Sequence, residues 1–130
     1  GKQMAITNGN GRLFVQTVLP ANAELRLKQG ETLYSYGEGD YPPKFKTGPE
    51  AECRIEISPP KPARLDLFLH VLTATDANVD NVPSGQAIVG KDSVALTVGK
   101  TRLDFSISKL GGSITIGGKK LKLKDGIAGR

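Results

Sequence analysis

The chain has 130 residues, a mass of 13.8 kDa and a formal net charge of +5 at neutral pH. That length suits one domain with a single core, and no apolar run approaches the roughly 20 residues that span a bilayer. The single cysteine excludes an internal disulfide and a cysteine-built zinc cage. Sixteen glycines and eight prolines leave little room for long helices.

Strand signals run the length of the chain. The opening Gly1-Lys2-Gln3-Met4 carries no signal-peptide apolar stretch. Arg12 to Leu19 is rich in apolar and β-branched residues and stops at Pro20. Ala23 to Lys28 alternates, with Leu25 and Leu27 on one side and Glu24, Arg26 and Lys28 on the other. Gly30 to Pro49 has no strand pattern and reads as a long ordered loop or weak hairpin. Glu52 to Ile57 has a period of two, which predicts Cys53, Ile55 and Ile57 facing a core. Leu65 to Ala74 is the most apolar run. Its lack of alternation predicts a central strand covered on both faces. Farther on, Val94–Val98 and Thr101–Ile107 flank Gly99-Lys100. Ser113–Ile116 and Lys119–Lys124 flank Gly117-Gly118. Both dipeptides are expected two-residue hairpin turns. About nine or ten short strands predict an all-β fold, an antiparallel two-sheet β-sandwich forming a single domain over residues 1–130.

The charge is unevenly placed. Residues 1–99 carry ten Lys/Arg against eleven Asp/Glu, whereas residues 100–130 carry eight against two. Lys120, Lys122 and Lys124 alternate with Leu121 and Leu123, so a strand here projects three ammonium groups from one face at intervals near 7 Å. Such a row suits an extended polyanion. It is equally what protects a solvated edge strand from pairing. Tyr34, Tyr36, Tyr41 and Phe45 form the one concentration of aromatic residues, with Lys44 and Lys46 beside them. Sugar C–H faces pack on such rings, and the lysines suit uronate or sulfate groups. The alternative is that these rings close one end of the sandwich as a small core of their own.

Catalytic signals are sparse. His70 is the sole histidine and lies inside the apolar run, which fits a hydrogen-bonded sheet histidine better than a general base. Cys53 reads as a small buried hydrophobe. Asp76 and Asp80, with the Asn78–Asn81 turn, offer oxygen ligands for Ca²⁺, but match no EF-hand spacing. No other cofactor and no metal site is expected. There is no Ser-His-Asp set and no phosphate loop, so the isolated chain is not expected to be an enzyme.

Three segments occur in a telling order: Gly11-Arg12-Leu13-Phe14-Val15-Gln16-Thr17-Val18-Leu19-Pro20, then Tyr41-Pro42-Pro43, then Leu67-Phe68-Leu69-His70-Val71-Leu72. Together they resemble the C-terminal β-sandwich region of heparinase II/III-like polysaccharide lyases, over roughly residues 5 to 127. In that family a catalytic α/α toroid meets a β-sandwich. The resemblance implies an excised, non-catalytic part of a larger extracellular or periplasmic enzyme.

Two functions are therefore expected. One is an accessory carbohydrate-binding domain that holds polysaccharide, including acidic polysaccharide, through Tyr34, Tyr36, Tyr41, Lys44, Lys46, Lys120, Lys122 and Lys124. The other is a purely structural module packed on a catalytic toroid domain, with an apolar patch exposed when the domain stands alone. Neither membrane nor nucleic acid is an expected partner, since the modest net charge accompanies no nucleic-acid-binding motif.

Overall fold

A computed structural model describes residues 2–44 and 51–123. The protein is all-β, with twelve antiparallel strands among the described residues and one 3-10 turn at Gly30–Thr32. The strands run β1 (Lys2–Asn8), β2 (Gly11–Leu19), β3 (Glu24–Lys28), β4 (Ser35–Tyr36), β5 (Gly39–Asp40) and β6 (Arg54–Ser58). They continue as β7 (Leu69–Asp76), β8 (Gly85–Val89), β9 (Ser93–Val98), β10 (Thr101–Ser106), β11 (Gly112–Ile116) and β12 (Lys119–Leu123). The count exceeds the expected nine or ten. β1 went unforeseen, and the weak hairpin in the Gly30–Pro49 stretch supplies two strands of two residues each.

The chain forms two compact units, Gly1–Ala21 with Leu67–Arg130, and Asn22–Asp66. The first unit is the sandwich. One sheet has the order β1-β2-β7 and the other β12-β11-β10-β9-β8. Period-two alternation sets which side chains meet. Phe14, Gln16 and Val18 share one face of β2 and are buried, as are Val94 and Leu96 of β9. A side-chain amide joins the two sheets. Gln16 donates from Nε2 to the Gly85 carbonyl (2.9 Å), and its Oε1 accepts from the Gly85 N–H (2.6 Å). Gly85 is buried so tightly that a Cβ there would lie 2.9 Å from Val71 Cγ2 and 3.2 Å from Leu96 Cδ1. The absence of a side chain is what lets β8 approach β2.

Both expected turns form. Val98 pairs with Thr101 across Gly99-Lys100, and Ile116 pairs with Lys119 across Gly117-Gly118. Gly99, Gly117 and Gly118 have φ of 56°, 55° and 80°, the backbone that tight hairpins need.

The most apolar run behaves otherwise than expected. β7 begins only at Leu69 and pairs with β2 alone, so it is an edge strand of its sheet. Leu65 and Phe68 precede it and are exposed, and Leu72 within it is 62% exposed. A continuous apolar run resembles a strand buried on both faces, but here every other residue points away from the facing sheet. Register rows Met4–Val15–Leu72 and Ile6–Leu13–Ala74 make up that outer face.

The second unit pairs β3 with β6 and β4 with β5. The predicted alternation of β3 holds. Leu25 pairs with Ile57 and Leu27 with Ile55, while Arg26 pairs with Glu56 and Lys28 with Arg54 on the other face. Cys53 falls just before β6 and is half-buried instead of lying in a core.

Candidate functional site

The tyrosines are positioned by the β4–β5 hairpin. Ser35 pairs with Asp40 and Tyr36 with Gly39, and the Tyr41 N–H donates to the Tyr34 carbonyl (3.0 Å). That register places Tyr34, Tyr36 and Tyr41 on one side of the hairpin. Tyr36 is 74% exposed and Tyr41 67% exposed, whereas Tyr34 is half-buried. The expected aromatic cluster does not form: among the described residues no two tyrosine rings are in contact. The physical reason is local. Tyr36 faces Gly39, which offers nothing to stack on, and the Tyr41 ring lies directly over the Gly39 Cα, where a Cβ would meet its hydroxyl at 2.6 Å.

Beside Tyr36 runs a groove of about 440 Å³, also lined by Lys28, Ser35, Glu56 and Ser58. Arg54 braces this groove by donating from Nη2 to Glu56 Oε1 (2.7 Å) and to the Ser35 carbonyl. The groove thus offers one exposed ring with a cation, an anion and two hydroxyls around it. Lys44 is exposed, and Lys46 and Phe45 lie outside the described residues.

Lys120 and Lys122 belong to the first unit. They project from β12, the edge of the five-stranded sheet, as the alternation predicted. Lys124 lies outside the described residues. Their register partners are Thr115 and Ser113, and Ser113 in turn pairs with Asp104 of β10. Over β10–β12 the outer face of this sheet is therefore polar, and it gives way to Ala95 and exposed Ile88 on β9 and β8. Asp104 accepts from Arg102 Nη2 (2.8 Å) and Nε (3.1 Å) and, at 3.4 Å, from the Ser113 hydroxyl. The Arg102 hydrogen bond holds the Asp104 carboxyl below the usual carboxylate range. Partial burial opposes that shift, and the charges of Arg102 and Lys120 reinforce it. An open groove of about 840 Å³ crosses this face, with Lys109, Lys120 and Lys122 among its lining residues. Sequence reasoning singled out two of these lysines and missed Lys109 and the serines around them. The turn at Gly117-Gly118 was the available signal, since it fixes which β11 residues stand opposite Lys120 and Lys122.

The remaining candidates resolve simply. His70 is half-buried, shares a 3.2 Å hydrogen bond with the Thr17 hydroxyl through Nδ1, and lies 6.3 Å from the Phe68 ring. Thr17 is the most buried side chain of the described residues, so the pair ties β2 to β7. Of the candidate Ca²⁺ ligands, Asp80 and the Val79 carbonyl are engaged by a guanidinium. Arg12 Nη1 donates to Asp80 Oδ1 (3.1 Å) and to the Val79 carbonyl (2.7 Å). Among the described residues no three His, Cys, Asp or Glu side chains converge as metal ligands, and no helix is long and apolar enough to cross a membrane. No family model and no curated protein matches the chain.

Proposed function

We propose that this chain is a non-catalytic accessory β-sandwich that binds polysaccharide, acidic polysaccharide included, as part of an extracellular heparinase II/III-like lyase. The observation that supports this reading most is the β4–β5 hairpin. It presents Tyr36 and Tyr41 to solvent on one side, next to a groove carrying Lys28, Glu56 and two serine hydroxyls. An exposed ring with hydrogen-bonding groups at its edge fits a sugar, whose axial C–H bonds need a flat apolar surface and whose hydroxyls need donors and acceptors.

Calorimetry against alginate, heparin, pectin and neutral glucans tests it. Tyr36→Ala is expected to weaken binding about threefold to tenfold by removing the ring contact, with folding unchanged because Tyr36 is exposed. Absence of heat with every glycan at low salt would remove the reading.

A second reading has its own support. The outer face of the three-stranded sheet carries Met4, Ile6, Leu13, Val15, Leu72 and Ala74, with Ile6 45% and Leu72 62% exposed. An apolar sheet face of this kind suits a structural module that packs on a catalytic toroid domain.

A further inference from the structure

From the polar β10–β12 part of this sheet face we infer that the groove beside β12 is a second subsite, separate from the tyrosine hairpin, for the sulfate or carboxylate groups of an acidic polysaccharide. It rests on the carbohydrate-binding reading and names the charge-bearing part of the ligand. Three cations, Lys109, Lys120 and Lys122, come to the groove from two different elements, the β10–β11 loop and β12. Ser93, Ser106 and Ser108 line it as well. Ammonium groups neutralise an anionic substituent, and hydroxyls complete its hydrogen bonds, as charge-assisted recognition requires.

The groove also discriminates between polyanions. Asp92 and Asp104 sit among the lysines. Their carboxylates accept hydrogen bonds from sugar hydroxyls. A DNA backbone has no hydroxyl to donate to them. Among the described residues Phe105 is the sole aromatic one at the groove, and it is half-buried instead of standing out as a stacking platform for bases. The chemistry therefore favours an acidic glycan over nucleic acid.

The test uses the whole chain, with heparin, polygalacturonate, a neutral glucan and a single-stranded DNA oligonucleotide as probes, by affinity electrophoresis and calorimetry. Both acidic glycans are expected to bind, and more weakly as salt is raised. Lys120→Gln with Lys122→Gln should weaken them about tenfold or more, while leaving affinity for neutral glucan and the thermal midpoint unchanged. Unaltered acidic-glycan affinity in that double variant, or DNA binding as tight as heparin binding, would overturn the subsite. Loss of neutral-glucan binding in Tyr36→Ala with the lysine effect absent would overturn the subsite and leave the carbohydrate reading standing. Wild-type chain that binds none of the glycans at low salt would overturn both.

Discussion

Gln16 is a buried polar residue that bridges the two sheets of the sandwich. Its amide satisfies both backbone groups of Gly85 inside the space between the sheets. A buried donor and acceptor left without partners cost more than the net worth of the bonds they made. Gln16→Ala is therefore expected to destabilise the chain by about 2–4 kcal/mol, from two orphaned backbone groups and the vacated volume. Gln16→Glu gives a sharper test with a sign. The protonated acid can donate to the Gly85 carbonyl and accept from its N–H, as the amide does, whereas the carboxylate cannot donate and is charged. Its folded-state pKa must then lie above the unfolded value of about 4.3. The protonated form's stability is fully present below that unfolded value and is lost as pH rises through the folded pKa. Denaturant melts at pH 3.5 and pH 7 should show Gln16→Glu close to wild type at the lower pH and well below it at the higher. A deficit of equal size at both pH values would show that the amide does not bridge the sheets.

At the scale of the strand, β10, β11 and β12 form one polar network, because alternation aligns Arg102 and Asp104 with Ser113 across the ladder. Asp104 titrates below the ordinary carboxylate range, chiefly through the Arg102 hydrogen bond. A lowered folded pKa means that the interaction supports the fold above the unfolded value of about 3.9 and is lost as pH falls through the folded one. Arg102→Gln should move the Asp104 midpoint upward in an NMR titration, and an unmoved midpoint would assign the shift elsewhere. This network shows what was readable before the structure and what was not. Gly99-Lys100 and Gly117-Gly118 announced their hairpins because tight turns demand that backbone, and Lys120 and Lys122 followed on one face. The edge position of β7 was hidden, since an apolar run reports hydrophobicity and not how many neighbours a strand has. β1 was hidden for the opposite reason: six of its seven residues are exposed, so no buried face shaped its pattern. The sequence showed the tyrosines only as one concentration of aromatic residues in a long loop or weak hairpin. Their failure to meet depends on the pairing of Tyr36 with Gly39, a register that side-chain spacing alone does not fix.

For the molecule as a whole, apolar surface is the governing quantity. Among the described residues of the sandwich unit, Phe14, Val18, Val94 and Leu96 are the buried hydrophobic side chains, while Ile6, Leu72, Ile88 and Leu121 are exposed. Two of the exposed ones, Ile6 and Leu72, lie on the same outer sheet face as Val15 and Leu13. Contiguous exposed apolar residues bind whatever apolar surface they meet, including another copy of themselves. The free chain is therefore expected to self-associate as its concentration rises and to enhance the fluorescence of a hydrophobic dye. Ile6→Thr with Leu72→Thr should abolish both effects. Because both sites are open to solvent, each substitution should change folding stability by no more than about 0.5 kcal/mol. Sedimentation across a hundredfold concentration range separates the outcomes. A wild-type chain that stays monomeric and dark to the dye would take away the support for packing on a toroid domain. Glycan affinity in the double variant should equal wild type, because neither side chain belongs to the tyrosine hairpin or to the lysine groove. The same two substitutions thus test the packing face without touching either proposed sugar-binding surface.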